Sequence, residues 1–463
     1  MASTYLTRAA TGSVTSDKIF TMSVWLKRST STPSGSADHW FMHENASGHT
    51  QKLDLHFCDD EFRMGWWDGS NEYNLDSKMK FRDCSAWYHI VFRCDTTQAT
   101  ASNRVRVYVN GEQIELQQIG GGSPDAQQPA QNGTMNLGQK IICVGRYQSS
   151  NPGQYFDGCM SHLHYCDGQS YAPTEFGETD TTTGEWRIKN DPSLTYGNNG
   201  FWLFKNDNAV TNRAAGTSSG NFSVAGGTLT KSEDNPSNVF ATLNPLMAFE
   251  SSANITYNYT NGNTSRRTHD VERFGGSSTL GMTSGKFYAE AKLTQKESPT
   301  ESCIGVSNNV SEEARNNYAV AVSNGGVGYL SNGNKKVAGS DTSYGNSYAV
   351  GDIIGIAIDL DNNKLYFSKN GTWQNSGDPT SGSTGTGAIS LDPASNNDGA
   401  YFFGWGDVSS SSSTTCTVAW NFGNGYIQTT AVSSAGTNAS NIGIFEYDVP
   451  SGYTALCTKG LNE

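Results

Sequence analysis

Charge is scarce in this chain: only 16% of its 463 residues are Asp, Glu, Lys or Arg, and 44 acids against 31 bases leave a net charge of -13. A surface of that sign repels phosphate backbones and anionic lipid headgroups, so no nucleic-acid partner is expected. Long apolar runs are missing as well. None approaches the roughly 20 residues that cross a bilayer, which excludes membrane insertion by helices. The opening MASTYLTRAATGSVTSDKIF lacks the apolar centre of a secretory leader, and export by that route is not expected. Heptads are absent, so there is no coiled-coil shaft. The nine cysteines (58, 84, 94, 143, 159, 166, 303, 416, 457) are an odd number with no CxxC pair, and several lie in strand-like runs such as IICVG and IVFRC. Buried free thiols in a reducing compartment are expected rather than a disulfide framework or a zinc site.

What the chain has is glycine, 51 residues of it, among many Ser, Thr and Asn. That mixture suits short strands joined by many turns and leaves little room for helix. The stretch GDIIGIAIDLDNNKLYFSKNGTW, Gly351 to Trp373, shows the unit of construction. Ile354, Ile356, Ile358 and Leu360 share one strand face, and Leu365 and Phe367 continue it after the turn at Asp361 to Asn363. Lys364, Tyr366 and Ser368 point the other way, and Asn370-Gly371 supplies a tight turn, which predicts a half-buried antiparallel meander. The device recurs far upstream. Tyr88, Ile90, Phe92 and Cys94 share a face, and Val105, Val107 and Val109 alternate with Arg104, Arg106 and Tyr108 before Asn110-Gly111.

The fold class that follows is all-β, with two antiparallel β-sandwiches in tandem. The first domain is assigned to residues 1–208, a polar Asn/Ser/Thr/Gly-rich connector to 209–254, and the second domain to 255–463, including a C-terminal tail with enough aromatic residues to dock. One helical turn is expected, at Ser311 to Asn317.

These residues carry a resemblance. The run WYHIVFRCDTTQ…RVRVYVNGEQIEL with YFDGCMSHLHYCDGQ resembles laminin-G and pentraxin-type concanavalin A-like jelly rolls. GKFYAEAKL…IGVSN…GDIIGIAIDLDNNKLYFSKNGTW resembles a SPRY domain. The joining text PTEFGETDTTTGEWRIKN…YGNNGFWLFKND…NPSNVFATLNP and the closing YDVPSGYTALCTKGLN resemble virion-associated proteins of marine bacteriophages and related viruses. The resemblance implies a virion surface protein assembled in the host cytoplasm, present as a homo-oligomer or in many copies, with other virion proteins and a host-surface glycan as partners. A purely structural capsid, fibre or tail component without a ligand of its own is the alternative.

Enzymatic patterns are incomplete, and neither a catalytic residue nor a cofactor is expected. GMTSGKF, Gly281 to Phe287, resembles a phosphate loop, but its glycines are one residue too close and Phe287 stands where Ser or Thr would bind magnesium. SKNGTW, Ser368 to Trp373, resembles a sialidase Asp-box with Asn in place of Asp and one residue missing. Glu446-Tyr447-Asp448 lacks the second Glu of a paired-acid glycosidase strand and reads as an exposed acidic pair. His162 with His164, and Asp54 with His56, each put two metal-ligating side chains on one strand face without a third, so no metal is expected. What remains is GWWDGSNEY, Gly65 to Tyr73. Sugar rings stack on Trp and Tyr while neighbouring carboxylates and amides accept hydroxyl hydrogen bonds. Trp66 and Trp67 fall on opposite faces of a strand, so one belongs to the core. Trp67, Asp68 and Tyr73 are the candidate glycan contacts, against the alternative that these rings only pack the sandwich or an interface.

Overall fold

Asn110-Gly111 and Asn370-Gly371 both close hairpins in the computed structural model of the chain. Asn110 and Gly111 have φ of 49° and 88°, and Asn370 and Gly371 have 47° and 78°, the left-handed values a two-residue strand turn requires. Gly111 has a second reason to be glycine, since a Cβ there would stand 2.7 Å from the Trp186 ring. The structure describes residues 4–9, 14–29, 39–45, 52–67, 72–119, 122–135, 141–147, 154–205, 208–216, 220–245, 259–267, 274–298, 300–310, 320–321, 325–395, 398–408 and 415–462. Strand makes up 46% and helix 7%. The helical turn expected at Ser311 to Asn317 lies outside the described residues.

The chain divides into two compact units, Met1–Lys231 and Ser232–Glu463. Strands of the first are β1 Tyr5–Arg8, β2 Ile19–Arg28, β3 His39–Asn45, β4 Lys52–Cys58, β5 Glu61–Trp67, β6 Glu72–Lys80, β7 Tyr88–Asp95 and β8 Val105–Val109. They continue with β9 Glu112–Gln113, β10 Leu116–Gln118, β11 Ile141–Val144, β12 Gly158–Asp167, β13 Gly177–Thr179, β14 Trp186–Ile188, β15 Phe201–Leu203 and β16 Ser223–Gly226. An eight-stranded sheet in the order β10-β6-β5-β4-β3-β11-β1-β16 faces a six-stranded sheet ordered β15-β12-β2-β7-β8-β9. Met22 and Val24 of β2, Leu53 and Leu55 of β4, Phe62, Met64 and Trp66 of β5, and Ile90 and Phe92 of β7 fill the space between them. Burying side chains of this size contributes about 1.5–3 kcal/mol each.

The six-stranded sheet is covered on its other face too. Val91 of β7, Cys166 of β12 and Trp202 of β15 pack there against Phe176 and Tyr196 from the segment that includes the β13–β14 hairpin. Its exposed edge is closed locally by a side chain: Gln128 accepts from Val105 N at 3.0 Å and donates to Val105 O at 3.4 Å, as a neighbouring strand would.

The second unit repeats the architecture. The strand Ile353–Asp359 lies between Lys286–Lys296 and Lys364–Lys369. Ile354, Ile356, Ile358, Leu365 and Phe367 enter one core with Ile304, Phe403 and Trp420. The half-buried meander read from the sequence is buried on both faces. Tyr366, with Tyr288 and Ala357, lies under a second cluster formed by Phe240, Phe445, Val449, Tyr453 and Cys457, so the opposite face is roofed by the late segment of the chain. On the opposing six-stranded sheet, Cys303 and Leu330 pack with Val320.

The stretch 209–254 is not a separate connector. Phe222 enters the first core and β16 pairs with β1, whereas Phe240 and Leu243 belong to the second unit. The division falls between Lys231 and Ser232. Trypsin cutting at the exposed Lys231 is expected to leave two halves, each melting cooperatively and each with a strand-dominated circular dichroism spectrum. A half that melts without cooperativity would contradict two independent cores. None of the nine cysteines is in a disulfide; eight are buried and Cys159 is half-buried.

Candidate functional site

Three of the four large sheets have their outward faces packed against other segments by the apolar clusters above. The outward face of the eight-stranded sheet differs, because most of its described side chains on β4, β5 and β6 are polar. Strand alternation sends Leu53, Leu55, Phe62, Met64, Trp66 and Leu75 inward, which leaves Asp54, His56, Arg63, Gly65, Trp67, Asn74 and Asp76 for the other side.

Register aligns them into rows. Asn74 lies opposite Gly65, Gly65 opposite Asp54, Asp54 opposite His43, His43 opposite Cys143, and Cys143 opposite Thr7, so one row crosses six strands from β6 to β1. The next holds Asp76, Arg63 and His56. Gly65 is required at the centre of the first row: a Cβ there would stand 2.6 Å from Asn74 Oδ1 and 3.5 Å from Asp54 Oδ2. With no side chain on β5, the amide of Asn74 and the carboxylate of Asp54 lean over the strand from both sides.

Charge in the second row is neutralised within the protein. Arg63 donates from Nε and Nη2 to the two carboxylate oxygens of Asp76 at 2.7 and 2.9 Å, and from Nη1 to Cys58 Sγ at 3.2 Å. Asp54, His56 and Asp76 are nearly screened from solvent, whereas Arg63, Asn74 and Trp67 are half-exposed. Gln127 holds the Asn74 backbone, its Oε1 accepting from Asn74 N at 3.0 Å.

The three residues named from the sequence separate here. Trp67 stands at the end of β5, half-buried, with a buried indole N–H that has no hydrogen-bond partner among the described residues. Asp68 lies outside the described residues. Tyr73 does not face a ligand: its ring lies parallel to Trp66, centroids 5.7 Å apart at 13°, packed against the core. Alternation explains the loss, since Tyr73 pairs with the inward Trp66 across β5 and β6. Arg63, Asn74 and Asp76 were missed. They are spaced as ordinary polar strand residues, and only the cross-strand register assembles them.

The histidine pair on β12 has another use. The strand bulges between Ser161 and His164, with His162 at φ 46°. His162 Nδ1 bonds Ser161 Oγ at 2.8 Å, while His164 Nδ1 bonds Tyr196 Oη at 2.8 Å and its ring stacks on Trp202 at 4.9 Å. A third ring, His89 of β7, stacks between Trp25 and Trp186, its Nε2 on Ser23 Oγ and its Nδ1 accepting from Trp186 Nε1 at 2.9 Å. Burial holds His89 down to about 3 and His162 to about 4, and holds His164 well below the ordinary imidazole value. These are neutral, packed rings. Among the described residues no group of three His, Cys, Asp or Glu is arranged to hold a metal.

Of the acidic pair near the C-terminus, Asp448 is exposed, as read from the sequence, and Glu446 is half-exposed; Asp448 is tied by its carboxylate and Glu446 by its backbone. Asp448 Oδ1 accepts from Thr437 N at 2.6 Å and from Thr437 Oγ1 at 2.8 Å. The backbone N–H groups of Glu446 and Tyr447 donate to the buried Glu290 at 2.9 and 2.8 Å.

Residues 2–170 match the family described as the concanavalin A-like lectin/glucanases superfamily, and residues 286–386 match the SPRY domain family. The chain carries a concanavalin A-like domain followed by a SPRY domain. None of the curated proteins matches it in sequence. Among solved structures it is similar to domains LG4-5 of mouse laminin alpha1 chain, at 8% identity and TM-score 0.27 over 98% of this chain and 84% of that one. It is also similar to the heptameric SAP-like pentraxin of Limulus polyphemus, at 12% identity and TM-score 0.25 over 36% and 71%. The SPRY domain of human HERC1 aligns at 18% identity and TM-score 0.24 over 32% and 82%. The polar rows and Trp67 lie within the concanavalin A-like domain.

Proposed function

We propose that the chain is a non-enzymatic glycan-recognition protein whose concanavalin A-like domain takes a sugar chain across the outward face of its eight-stranded sheet. The observation that carries this reading is the row in which Asn74 and Asp54 converge over Gly65 beside the half-exposed Trp67. The half-exposed Asn74 amide can both donate to and accept from a sugar hydroxyl, the half-exposed Trp67 indole offers a stacking face, and the buried Asp54 carboxylate lies behind them. Binding without turnover is supported by the state of the acids. Asp76 is held by two bonds from Arg63, and Asp448 is held by Thr437, so neither stands as a free acid or base beside another carboxylate.

The resemblance of the joining and closing segments to virion-associated proteins supports display on a virus particle, assembled in the host cytoplasm and repeated in many copies. Weak single contacts then gain by avidity. The SPRY domain serves in this reading as the attachment to neighbouring virion proteins.

A glycan screen with the purified chain tests the reading. Trp67→Ala combined with Asn74→Ala is expected to reduce binding at least about tenfold, the order expected when an aromatic anchor and an amide contact are both lost, with the melting temperature nearly unchanged. Tyr73→Ala is expected to do the reverse, lowering stability through the lost stack on Trp66 without changing sugar preference. Unchanged binding by the folded double variant would move the site elsewhere.

A further inference from the structure

Arg146 has no counterion among the described residues. Arg146 follows β11 and bridges Tyr155 on the returning arm, held by Phe156 N to Gly145 O at 3.0 Å and Tyr147 N to Gln154 O at 3.1 Å. Its guanidinium lies 4.9 Å from the ring centre of Tyr5 on β1 and 5.2 Å from that of Tyr155, and those rings are 6.2 Å apart. Among the described residues no carboxylate pairs with it, in a chain where acids outnumber bases 44 to 31. Its Nε is buried without a partner, while the residue as a whole is half-exposed. The inner part of the side chain is therefore fixed against two aromatic rings, and the outer edge of its planar fork is left for something else.

We infer that Tyr5, Arg146 and Tyr155 form an oxyanion subsite, and that the glycan taken by this domain is an acidic one, carrying a carboxylate or sulfate that pairs with Arg146. The inference rests on the glycan reading above and names the substrate class of the same face. Leu6 points into the core, so Tyr5 and Thr7 point outward, and Thr7 is the last member of the row that contains Asp54, Gly65 and Asn74. From β5 to β1 are four strand spacings, roughly 19 Å at about 4.8 Å each. A sugar chain lying across the strands has its neutral part at Trp67 and Asn74 and its acidic part at Arg146. The two ends are suited to different chemistry. At the first, Asp54 disfavours an anion. At the second, a guanidinium held by aromatic rings, with no internal carboxylate to displace, presents parallel N–H donors that match two oxyanion oxygens.

The test compares three probes on the intact chain: a neutral oligosaccharide, the same backbone carrying a uronate, and the same backbone carrying a sulfate. Wild type is expected to bind one or both acidic probes at least about tenfold more tightly than the neutral one, as a charge-assisted pair would give. Arg146→Gln is expected to abolish that difference while leaving neutral binding unchanged, and Arg146→Lys to retain part of it by charge without the fork. The uronate and sulfate arms show which oxyanion is read. If the neutral probe binds and Arg146→Gln changes nothing, the subsite falls and the glycan reading stands; if no probe binds, both fall. Arg146→Gln with unchanged melting behaviour but equal losses on all probes also overturns the oxyanion assignment.

Discussion

Lowering the pH from 7 to 5 is expected to weaken the concanavalin A-like domain and strengthen the SPRY domain, so that two calorimetric transitions of the intact chain move in opposite directions. In the first domain the responsible groups are His89, His162 and His164, whose folded values are depressed by burial. The unfolded chain takes up their protons near pH 6.5 while the folded domain does not, so the stability present above 6.5 is lost as pH falls toward the folded values near 3 and 4. Each imidazole withdraws about 2 kcal/mol by pH 5, at about 1.4 kcal/mol per unit, so the three reach a large part of a domain's usual total of about 5–15 kcal/mol. The groups around the rings add to the effect. Lys205 lies near His162, paired with Asp191, and the three histidines repel one another's protons. Asp157, whose carboxyl burial pushes up, opposes it with one group against three. In the SPRY domain Glu290 is raised by burial to about 7. A raised carboxyl gives stability that is complete below its unfolded value and is lost as pH rises through the folded one, so acidification returns about 2 kcal/mol between pH 7 and 5. His89→Gln should flatten the first slope and leave the second intact. Transitions that fall together on acidification would show that these groups do not govern stability.

Replacing Glu290 by alanine is the substitution with the largest expected structural effect. Its carboxylate accepts from Glu446 N, Tyr447 N, Asn421 Nδ2 at 3.2 Å and Tyr288 Oη at 3.2 Å. Two of those donors are main-chain groups of the segment that roofs Tyr288 and Tyr366. Losing the acceptor orphans both in a place water does not reach, at about 1–3 kcal/mol each, and the total expected is about 3–5 kcal/mol. Protease cleavage near Tyr447 and rapid amide exchange over 445–457, with the concanavalin A-like domain unaffected, would register the release. A variant that melts within about 1 kcal/mol of wild type would mean that the apolar contacts of Phe445, Val449 and Tyr453 hold the segment unaided.

The sequence made the hairpins legible because their information is local. Ile354, Ile356 and Ile358 alternate, Asn370-Gly371 names its own turn, and both appear in the structure as read. What was not legible depends on partners far along the chain. Tyr366 is written as an outward residue of an alternating strand, and only the arrival of Phe445 and Tyr453 buries it. Tyr73 looks like a rim aromatic until Trp66 is placed across from it. The polar rows of the candidate site have no motif in one dimension, because Asn74, Gly65 and Asp54 become neighbours only through pairing of three strands. Trp67 was accessible to sequence reasoning because Asp68-Gly69 follows it in the sequence, but Arg146 was not, since nothing near it in the chain announces Tyr5.

The roof over Tyr288, Ala357 and Tyr366 also sets a timetable. Phe240 meets Cys457 in a bridge that joins the beginning of the SPRY unit to its late segment. A ribosome adding roughly 5–20 residues per second takes several seconds to travel from Tyr366 to Cys457. During that interval the concanavalin A-like unit has all its strands, while the SPRY unit shows a naked aromatic sheet face to the crowded surroundings of the polysome. Nascent chains of this protein are therefore open to coalescing with one another at that stage, and a premature stop after Ile427 would leave the interval permanent.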